Sequence, residues 1–272
     1  MVVEVERHEA LMWTRCVEAG MAIAGNPLGA LVDRSTGVPL TSMTAIDSDE
    51  FNRVVGLGIG VPATPSTVTA IFDFYQSLGQ SQFRVEVAPF AGPGELFGWL
   101  EDGGLQRSPE TVMKLWEPLT ANSPAVDDPG GVEIRTLDSS DGEAVAKLNV
   151  LGYGAWDSEI PLEPWFAATV GYPGFIHYGA FVGDRLVAAA AIFVENDLAW
   201  FGLAVTHPRF RSRSFQQSLT AIRLKDARDL GSLIIHGEVR SSRVLSPRGR
   251  LFGNAYEKLT FRSGDPGRPP TV

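Results

Sequence analysis

The residues with the clearest chemical potential lie in the segment LAVTHPRFRSRSFQQ, which runs from Leu203 to Gln217. It places His207, Arg209, Arg211 and Arg213 within seven residues, although the 272-residue chain has a formal net charge of -9. The segment follows an apolar run and precedes a predicted helix. The N-terminus of a helix carries unpaired N–H groups and a partial positive charge. Arginines at that end repel the helix dipole unless an anion lies between them.

Two interpretations of this segment are open. A phosphate or pyrophosphate would accept hydrogen bonds from both the helix N–H groups and the guanidinium groups. Alternatively, the segment is a solvated basic loop that pairs with surface Asp or Glu. The sequence pI near 5.0 argues against general nucleic-acid binding, which needs a broad basic face. A small anionic partner is therefore the expected ligand of a binding loop.

Composition favours an ordinary globular protein, with 44% hydrophobic and 20% charged residues. Cys16 is the single cysteine, which excludes an intramolecular disulfide and is typical of a reducing cytoplasm. We interpret Cys16 as a small buried thiol rather than a nucleophile, because it lies in a predicted helix among apolar residues. The sequence predicts neither a signal peptide nor a membrane span, so we expect a cytoplasmic protein.

Other chemistries find little support. Four histidines and one cysteine show no metal-ligand spacing, so no metal is expected. His177 lies among apolar residues in FIHYGAF, which is more typical of a core or edge histidine than of a base. No nucleophile-elbow or Walker-type motif is present.

The segment EPLTANSPAVDDPGG, from Glu117 to Gly131, has linker composition. It predicts a domain over 1–118, a linker over 119–131 and a domain over 132–272. Apolar periodicity and turn residues predict the elements of the first domain. In order these are a helix over 5–22, strands over 38–45 and 52–58, a helix over 64–78, a strand over 83–87, a short helix over 95–100 and a strand over 111–115.

The second domain is predicted to contain an antiparallel meander, because three apolar runs are joined by Gly183-Asp184 and Asn196-Asp197 turns. These runs cover 175–182, 186–194 and 198–205. The remaining predicted elements are a strand over 132–137, helices over 141–150 and 214–230, a strand over 233–239, a helix over 247–259 and a short strand from 260.

The two halves could be repeats. VVGLGIGVPATPSTVTAIFDFYQSLGQSQFRVEV and WFGLAVTHPRFRSRSFQQSLTAIRLKDARDLGSLIIHGEV both predict a strand, a loop with proline, a helix ending in Leu-Gly and a strand. The step from Gly56 to Gly79 is 23 residues, whereas that from Gly202 to Gly231 is 29. The additional length lies in the arginine loop. Unrelated strand orders in the two halves would contradict the hypothesis.

Val205, Pro208 and the run RSRSFQ resemble the acyl-CoA loop of the GNAT superfamily of N-acyltransferases, which has the form Arg/Gln-x-x-Gly-x-Gly/Ala. Arg211 matches the first position, and Ser214 stands in a glycine position. Gln216 stands where a branch with two GNAT-like halves often has glutamine. FNRVVGLG, VAPF and KLW resemble the non-catalytic half of that branch. The resemblance implies an α/β (α+β) fold with two GNAT-like domains, each a mostly antiparallel mixed sheet flanked by helices, the first domain being degenerate.

The resemblance also implies acetyl-CoA, or another acyl-CoA, as co-substrate. Backbone groups of Leu203, Ala204 and Val205 would bind the pantetheine arm, and the Val205 N–H would polarise the thioester carbonyl. The residues that would hold the pyrophosphate are Arg211, Ser212, Arg213, Ser214, Phe215 and Gln216. If the backbone at the serines needs a positive φ, serine costs about 1 kcal/mol or more. In ordinary helix-entry geometry its hydroxyl can donate to a phosphate oxygen.

The implied reaction is N-acetylation of a small-molecule amine by direct attack on the thioester. Tyr256, in NAYEKLTF, resembles the general acid of the family, with a packed aromatic as the alternative. Glu238 is the candidate general base, with Glu195, Asp157 and Glu159 as alternatives. Water-relayed proton removal would also fit, because LAWFGLAV contains no acidic residue or histidine.

Two rival functions remain at this level. One is a non-catalytic acyl-CoA-binding or regulatory module, favoured by the serines and by the absence of a base in that strand. The other is a different anion-binding enzyme that uses the same loop. The expected partner is a small-molecule amine acceptor, with no nucleic acid and no membrane. A homodimer is one option for the oligomeric state.

Overall fold

The structure is a computed structural model that describes residues 1–46, 48–120, 132–153, 162–240 and 251–263. Its contacts divide the chain into two compact units. Among the described residues, unit 1 comprises 1–115, 238–240 and 254–263, whereas unit 2 comprises 116–237 and 251–253. The predicted linker lies outside the described residues from 121 onward. The predicted domain boundaries therefore stay a prediction, with the last strand grouped by its contacts with unit 1.

Unit 1 contains most of the elements predicted for the first half. Helix α1 buries Val5, Met12 and Cys16 at helical spacing. Helix α2 begins after Thr64, whose side chain accepts a hydrogen bond from the Thr67 N–H in a capping box. The elements are α1 (Val2–Met21), β1 (Ala30–Asp33), β2 (Leu40–Met43), β3 (Arg53–Val55), α2 (Pro65–Ser77), β4 (Arg84–Val87), α3 (Leu96–Asp102), β5 (Gln106–Arg107) and β6 (Val112–Pro118). Periodicity did not predict β1 and β5, because these strands have only four and two residues.

Unit 2 contains the predicted meander, and the remaining elements follow in order. They are β7 (Glu133–Leu137), α4 (Gly142–Tyr153), α5 (Glu163–Thr169), β8 (Phe175–Val182), β9 (Arg185–Glu195), β10 (Leu198–Thr206), α6 (Phe215–Asp229), β11 (Ile234–Arg240) and β12 (Asn254–Arg262). Asn196 and Asp197 have φ of 51° and 63°, as a two-residue hairpin turn between β9 and β10 requires.

The prediction of a helix over 247–259 is wrong for its described part. Asn254–Arg262 is the strand β12, which pairs antiparallel with β4 from Leu259 to Arg262. Glu, Lys and Leu favour a helix, but alternate burial and pairing with a neighbouring strand override this weak preference. Lys258, Thr260 and Phe261 are buried in the sheet.

The two units share one strand order. In unit 1, β1, β2 and β3 pair antiparallel in turn, and β3 pairs parallel with β4 after the crossover helix α2. In unit 2, β8, β9 and β10 pair antiparallel in turn, and β10 pairs parallel with β11 after the crossover helix α6. This common topology is what the repeat hypothesis requires. Within the described residues, no helix is both long and apolar enough to cross a membrane.

Candidate functional site

Strand β10 leaves its parallel neighbour before it ends. It pairs with β11 only through Leu198, Ala199 and Trp200, opposite 234–236. It continues to Thr206 while paired antiparallel with β9. The backbone edge of β10 beyond Trp200 therefore has no strand partner on the β11 side within the described pairing. Backbone groups at such an edge are available to a ligand.

A β-bulge marks the same part of β10. Gly202 lies opposite Ala191 and Val205 opposite Ala189, so β10 contains one extra residue in this interval. Leu203 takes up the irregularity with a φ of 47°. Gly202 is needed because an added Cβ would lie 1.9 Å from the Trp200 ring. The bulge changes the direction of the backbone groups of Leu203, Ala204 and Val205, which are the three residues predicted to bind a pantetheine arm.

The loop after β10 has left-handed backbone at both serines. Ser212 has a φ of 62° and Ser214 a φ of 61°. Ser214 is the N-cap of α6, and its side chain makes no capping hydrogen bond. Left-handed residues next to a helix N-terminus turn successive N–H groups toward one side, which is a recurrent anion-binding geometry. The serines thus occupy the conformation for which glycine is ordinarily used.

The arginines of the loop are exposed and form no ion pair with a described carboxylate. Arg211 Nη2 donates to the Gly152 carbonyl oxygen at 2.9 Å, in the last turn of α4, where a cation interacts favourably with the helix dipole. The Arg213 guanidinium lies 5.2 Å from the centre of the Phe210 ring. The interpretation that these arginines pair with surface Asp or Glu therefore has no support in the described part of the chain.

Gln216 connects the start of α6 to β10. Its Nε2 donates to the Val205 carbonyl oxygen at 2.7 Å and to the Thr206 Oγ1 at 3.1 Å. Phe215 is buried beside it. The predicted cofactor residues 203–205 and 211–216 thus lie together in unit 2. The Gln216 amide and the Phe215 ring hold the loop in place, whereas the exposed groups belong to 211–214.

Helix α4 packs closely on the bulged strand. A Cβ added to Gly152 would lie 1.9 Å from Val205 Cγ2, so only glycine permits this approach. Val205 is buried with Leu148 and Ala189 in a small apolar cluster. The position of β10 is therefore fixed on one face by α4 and along one edge by β9.

The two predicted acid–base residues, Tyr256 and Glu238, belong to unit 1. Tyr256 lies on β12, and its hydroxyl donates to Glu6 Oε1 at 2.7 Å. Burial and the negative charge of Glu6 raise the pKa of this phenol. The hydroxyl already has a carboxylate acceptor, so its packed structural role is on the page while its catalytic role stays a prediction.

Both residues adjoin a buried network of charged side chains. Lys258 Nζ lies 2.9 Å from Glu9 Oε2 and 2.8 Å from Glu86 Oε2, and Lys114 Nζ lies 2.9 Å from Glu9 Oε2. Arg84 Nη2 lies 2.9 Å from Glu86 Oε1. Within the network, Lys114 and Lys258 are fully buried. The carboxylates are thus neutralised by cations from β4, β6 and β12.

Glu238 is the carboxyl of this network that keeps its proton. It forms a hydrogen bond with Glu9, and burial together with the charge of Glu9 raises the pKa of Glu238 to about 8. Its Oε2 is buried without a hydrogen-bond partner in the described structure, although 24% of the side chain is exposed. For Glu9, Lys114 and Lys258 overcome the effect of burial and hold its pKa well below the ordinary value. Glu238 is therefore neutral at pH 7 and could act as a base only above that pH.

Oxygens of Glu9, Glu86 and Glu238 lie within 4.8 Å of one another, which is a spacing that could hold a cation. Lys258 Nζ already contacts two of these carboxylates. Its ammonium supplies the positive charge that such a cluster needs. The expectation of no metal stays a prediction.

Several other candidates take their places. His177 is buried, and burial lowers its pKa to about 4, as expected for a core histidine. Cys16 is buried, and burial raises its pKa to about 12, which leaves little thiolate. Glu195 ends β9 at the hairpin. Asp157 and Glu159 lie outside the described residues.

The sequence analysis missed the buried network, although a signal was present. Glu86, Lys114 and Lys258 each lie within a short strand with an apolar residue on either side. A charge at an inward position of a strand is unusual unless it is paired. Glu6 and Glu9 on the buried face of α1 give the same signal.

Replacing either left-handed serine with glycine should stabilise the protein. Ser212→Gly and Ser214→Gly each remove a strained Cβ, so we expect the free energy of unfolding to rise by about 0.5 to 1 kcal/mol. Urea unfolding measures the change. Ser77→Gly in α2 is the matched control and should destabilise, because glycine weakens a helix interior. Equal losses at all three positions would show that Ser212 and Ser214 are not strained.

Breaking the buried network should be costly. Lys258→Met leaves Glu9 and Glu86 buried without their shared cation, so we expect a loss of about 3 to 5 kcal/mol in the free energy of unfolding. Lys147→Met, which removes only an exposed pair with Glu143, should leave the unfolding midpoint almost unchanged. A Lys258→Met protein as stable as the parent would contradict the ionic network.

The proton on Glu238 predicts a pH effect. The folded pKa of about 8 lies above the ordinary 4.5, so the folded chain keeps a proton that the unfolded chain releases between these values. The contribution of Glu238 to stability is thus complete below that window and is lost as pH rises through it. Glu238→Gln cannot titrate, so its stability relative to the parent should increase between pH about 6 and pH about 9. Exposed Glu101→Gln, in α3, is the control, and a parallel pH profile for Glu238→Gln and the parent would refute the assignment.

Comparisons with known proteins follow the same lines. No protein-family model matches the chain, and no curated protein matches it. Solved structures do match. A GCN5-related N-acetyltransferase from Kribbella flavida is 14% identical, with 93% of this chain and 95% of that chain covered and a TM-score of 0.63. A GCN5-related N-acetyltransferase from Sphaerobacter thermophilus is 16% identical, with 80% and 73% covered and a TM-score of 0.53.

A tandem GNAT protein from the clavulanic acid biosynthesis pathway, solved without acetyl-CoA, is also 16% identical. The match covers 94% of this chain and 88% of that chain, with a TM-score of 0.60. At these identities the likeness establishes the fold. The chain therefore has the mixed α/β fold of the GNAT acetyltransferases, and the likeness to a tandem GNAT protein extends over nearly its whole length.

Proposed function

We propose that the protein is an acyl-CoA-dependent N-acyltransferase, with acetyl-CoA as its donor and an amine of a small molecule as its acceptor. One observation carries this proposal. In unit 2, β10 diverges from β11, bulges at Leu203 and runs into an arginine loop with left-handed backbone at the start of α6. The acetyltransferase names of the structural neighbours support the same class of reaction.

The loop has the groups that an acyl-CoA needs. The guanidinium groups of Arg211 and Arg213 would pair with the pyrophosphate, together with N–H groups that Ser212 and Ser214 turn toward it. The unpaired edge of the bulge, Leu203 to Val205, would hydrogen-bond to the pantetheine amides. The bound co-substrate supplies an activated thioester.

The chemistry then asks little of the chain. N–H groups of the bulge, that of Val205 among them, would polarise the thioester carbonyl. The acceptor amine attacks directly, so the residues mainly orient it and move protons. Tyr256 as general acid and Glu238 as general base are proposals that rest on residue type and resemblance. Unit 1, whose β3 stays paired with β4 along its length, would be the degenerate half.

The second candidate is a non-catalytic acyl-CoA-binding module. Two observations favour it, namely the engagement of the Tyr256 hydroxyl by Glu6 and the proton that Glu238 keeps at pH 7. Both candidates require the same loop to bind acyl-CoA. They differ only in turnover. A small-molecule amine acceptor, a homodimer and a cytoplasmic location all stay predictions.

Calorimetry with acetyl-CoA and a thiol-release assay over a panel of amines test the proposal. Acetyl-CoA should bind, and Arg211→Ala should weaken binding about tenfold, because one charge-assisted contact is lost. Exposed Lys225→Ala in α6 removes the same charge and should have no effect. Thiol release with at least one amine should depend on Tyr256 and Glu238, so that Tyr256→Phe and Glu238→Gln lower kcat while acetyl-CoA affinity is retained.

Each contrary result has a distinct meaning. Binding without turnover across the panel would establish the non-catalytic candidate instead. Absence of binding would exclude both, and unchanged affinity in Arg211→Ala would indicate a different anion. If Tyr256→Phe and Glu238→Gln change the unfolding midpoint but not kcat, these side chains are structural.

A further inference from the structure

A second cationic group lies beside the arginine loop in unit 2. It comprises Arg185 at the start of β9, His207 and Phe210 after β10, and Arg213 before α6. The Arg185 guanidinium lies 5.5 Å from the centre of the Phe210 ring, and the Arg213 guanidinium lies 5.2 Å from it. We name these four residues the Phe210 cluster. It gathers two cations from separate segments on one aromatic ring.

The cluster has no compensating negative charge in the described structure. Arg185 and Arg213 are both exposed, and neither forms an ion pair with a described Asp or Glu. By contrast, exposed Arg135 and Lys225 in the same unit are paired with Asp141 and Asp229. The formal net charge of -9 supplies many carboxylates. Two neighbouring guanidinium groups that remain unpaired in such a chain indicate a site for an external anion.

The contact that Arg185 does make is a poor substitute for an anion. Its Nη2 lies 2.7 Å from His207 Nε2, while His207 Nδ1 faces the Arg209 N–H at 3.2 Å. A neutral imidazole has only one acceptor nitrogen, so it cannot accept from both donors. A protonated imidazole accepts from neither. One donor therefore lacks an acceptor until an anion provides one.

The Phe210 cluster is distinct from the groups assigned to the pyrophosphate. Arg211 is directed at the Gly152 carbonyl oxygen of α4, whereas Arg185 approaches from β9 and stacks on Phe210. A coenzyme A molecule carries two phosphate groups at different places, the pyrophosphate and the 3′-phosphate of its ribose. The latter is a compact dianion on the nucleotide end. Two forked guanidinium groups match its oxygens.

We infer that Arg185 and Arg213, held on Phe210, bind the ribose 3′-phosphate and so make the protein selective for nucleotide-bearing coenzyme A thioesters. This inference rests on the proposed function and specifies the donor class of the same site. It assigns Arg185, which lies outside the loop, as a specificity-determining residue. The donor is accordingly a free coenzyme A thioester rather than a thioester of pantetheine alone.

The test compares acetyl-CoA with 3′-dephospho-acetyl-CoA in calorimetry on the full chain. The parent protein should bind acetyl-CoA about tenfold more tightly, since the second compound lacks the dianion. Arg185→Ala should lose this preference by weakening acetyl-CoA binding alone. Arg211→Ala should weaken binding of both compounds by a similar factor and keep the preference. Lys225→Ala, about 15 Å along α6 from its start, is the charge-matched control and should keep both affinities.

The outcomes separate this inference from the proposal beneath it. Equal affinity of the parent for the two compounds would overturn the role of the Phe210 cluster while leaving acyl-CoA binding established. A preference that survives in Arg185→Ala would also overturn it. Binding of neither compound would overturn the proposed function, and the inference with it. Thermal unfolding of Arg185→Ala, an exposed substitution, confirms that a lost preference is not a lost fold.

Discussion

The structure of unit 2 depends on one constraint, which is that β10 must stay paired on one edge while it gives up its partner on the other. β9 makes this arrangement stable, because its buried residues Ala188 to Ala191 let α6 and α4 pack closely over the strand pair. Gly152 permits α4 to approach Val205, and Gln216 ties the first turn of α6 to the same strand. Because these contacts hold β10, its unpaired edge remains ordered without a neighbouring strand. Preorganised backbone groups of this kind cost nothing to arrange when a ligand arrives.

Unit 1 shows what the same strand order does without that constraint. β3 pairs with β4 at all of its residues, and the paired strands present Arg53, Arg84 and Glu86 to the interior rather than an edge to a ligand. Buried ion pairs contribute little net stability, since desolvation offsets their attraction, yet each partner becomes costly to remove once the others are in place. The network therefore makes unit 1 specific rather than adaptable. Tyr256 and Glu238 inherit that rigidity through Glu6 and Glu9.

The fold was predictable from the sequence where local signals agree with tertiary packing. The meander, the crossover helix α6 and the arginine loop have clear periodicity and turn residues, and the structure confirms these elements. Short strands such as β1 carry too few residues for a periodic signal. β12 was predicted as a helix because its propensity is decided by pairing with β4, which lies far away in the chain. The buried network was beyond prediction for the same reason, since its partners come from segments separated by up to two hundred and fifty residues, as with Tyr256 and Glu6.

The serines of the loop connect stability with function. Glycine would adopt the left-handed backbone at Ser212 and Ser214 without strain, so retaining serine costs the folded state about 1 kcal/mol at each position. Serine also restricts the unfolded chain and fixes the loop more firmly than glycine, and its hydroxyl adds a donor beside the helix N–H groups. Neither side chain caps α6, since Ser214 makes no side-chain capping bond. A strained residue that stabilises nothing within its own chain is expected where an external group is to be bound. The two serines therefore belong to the same arrangement as the unpaired arginines, in which the loop is held ready for an anion that it does not itself contain.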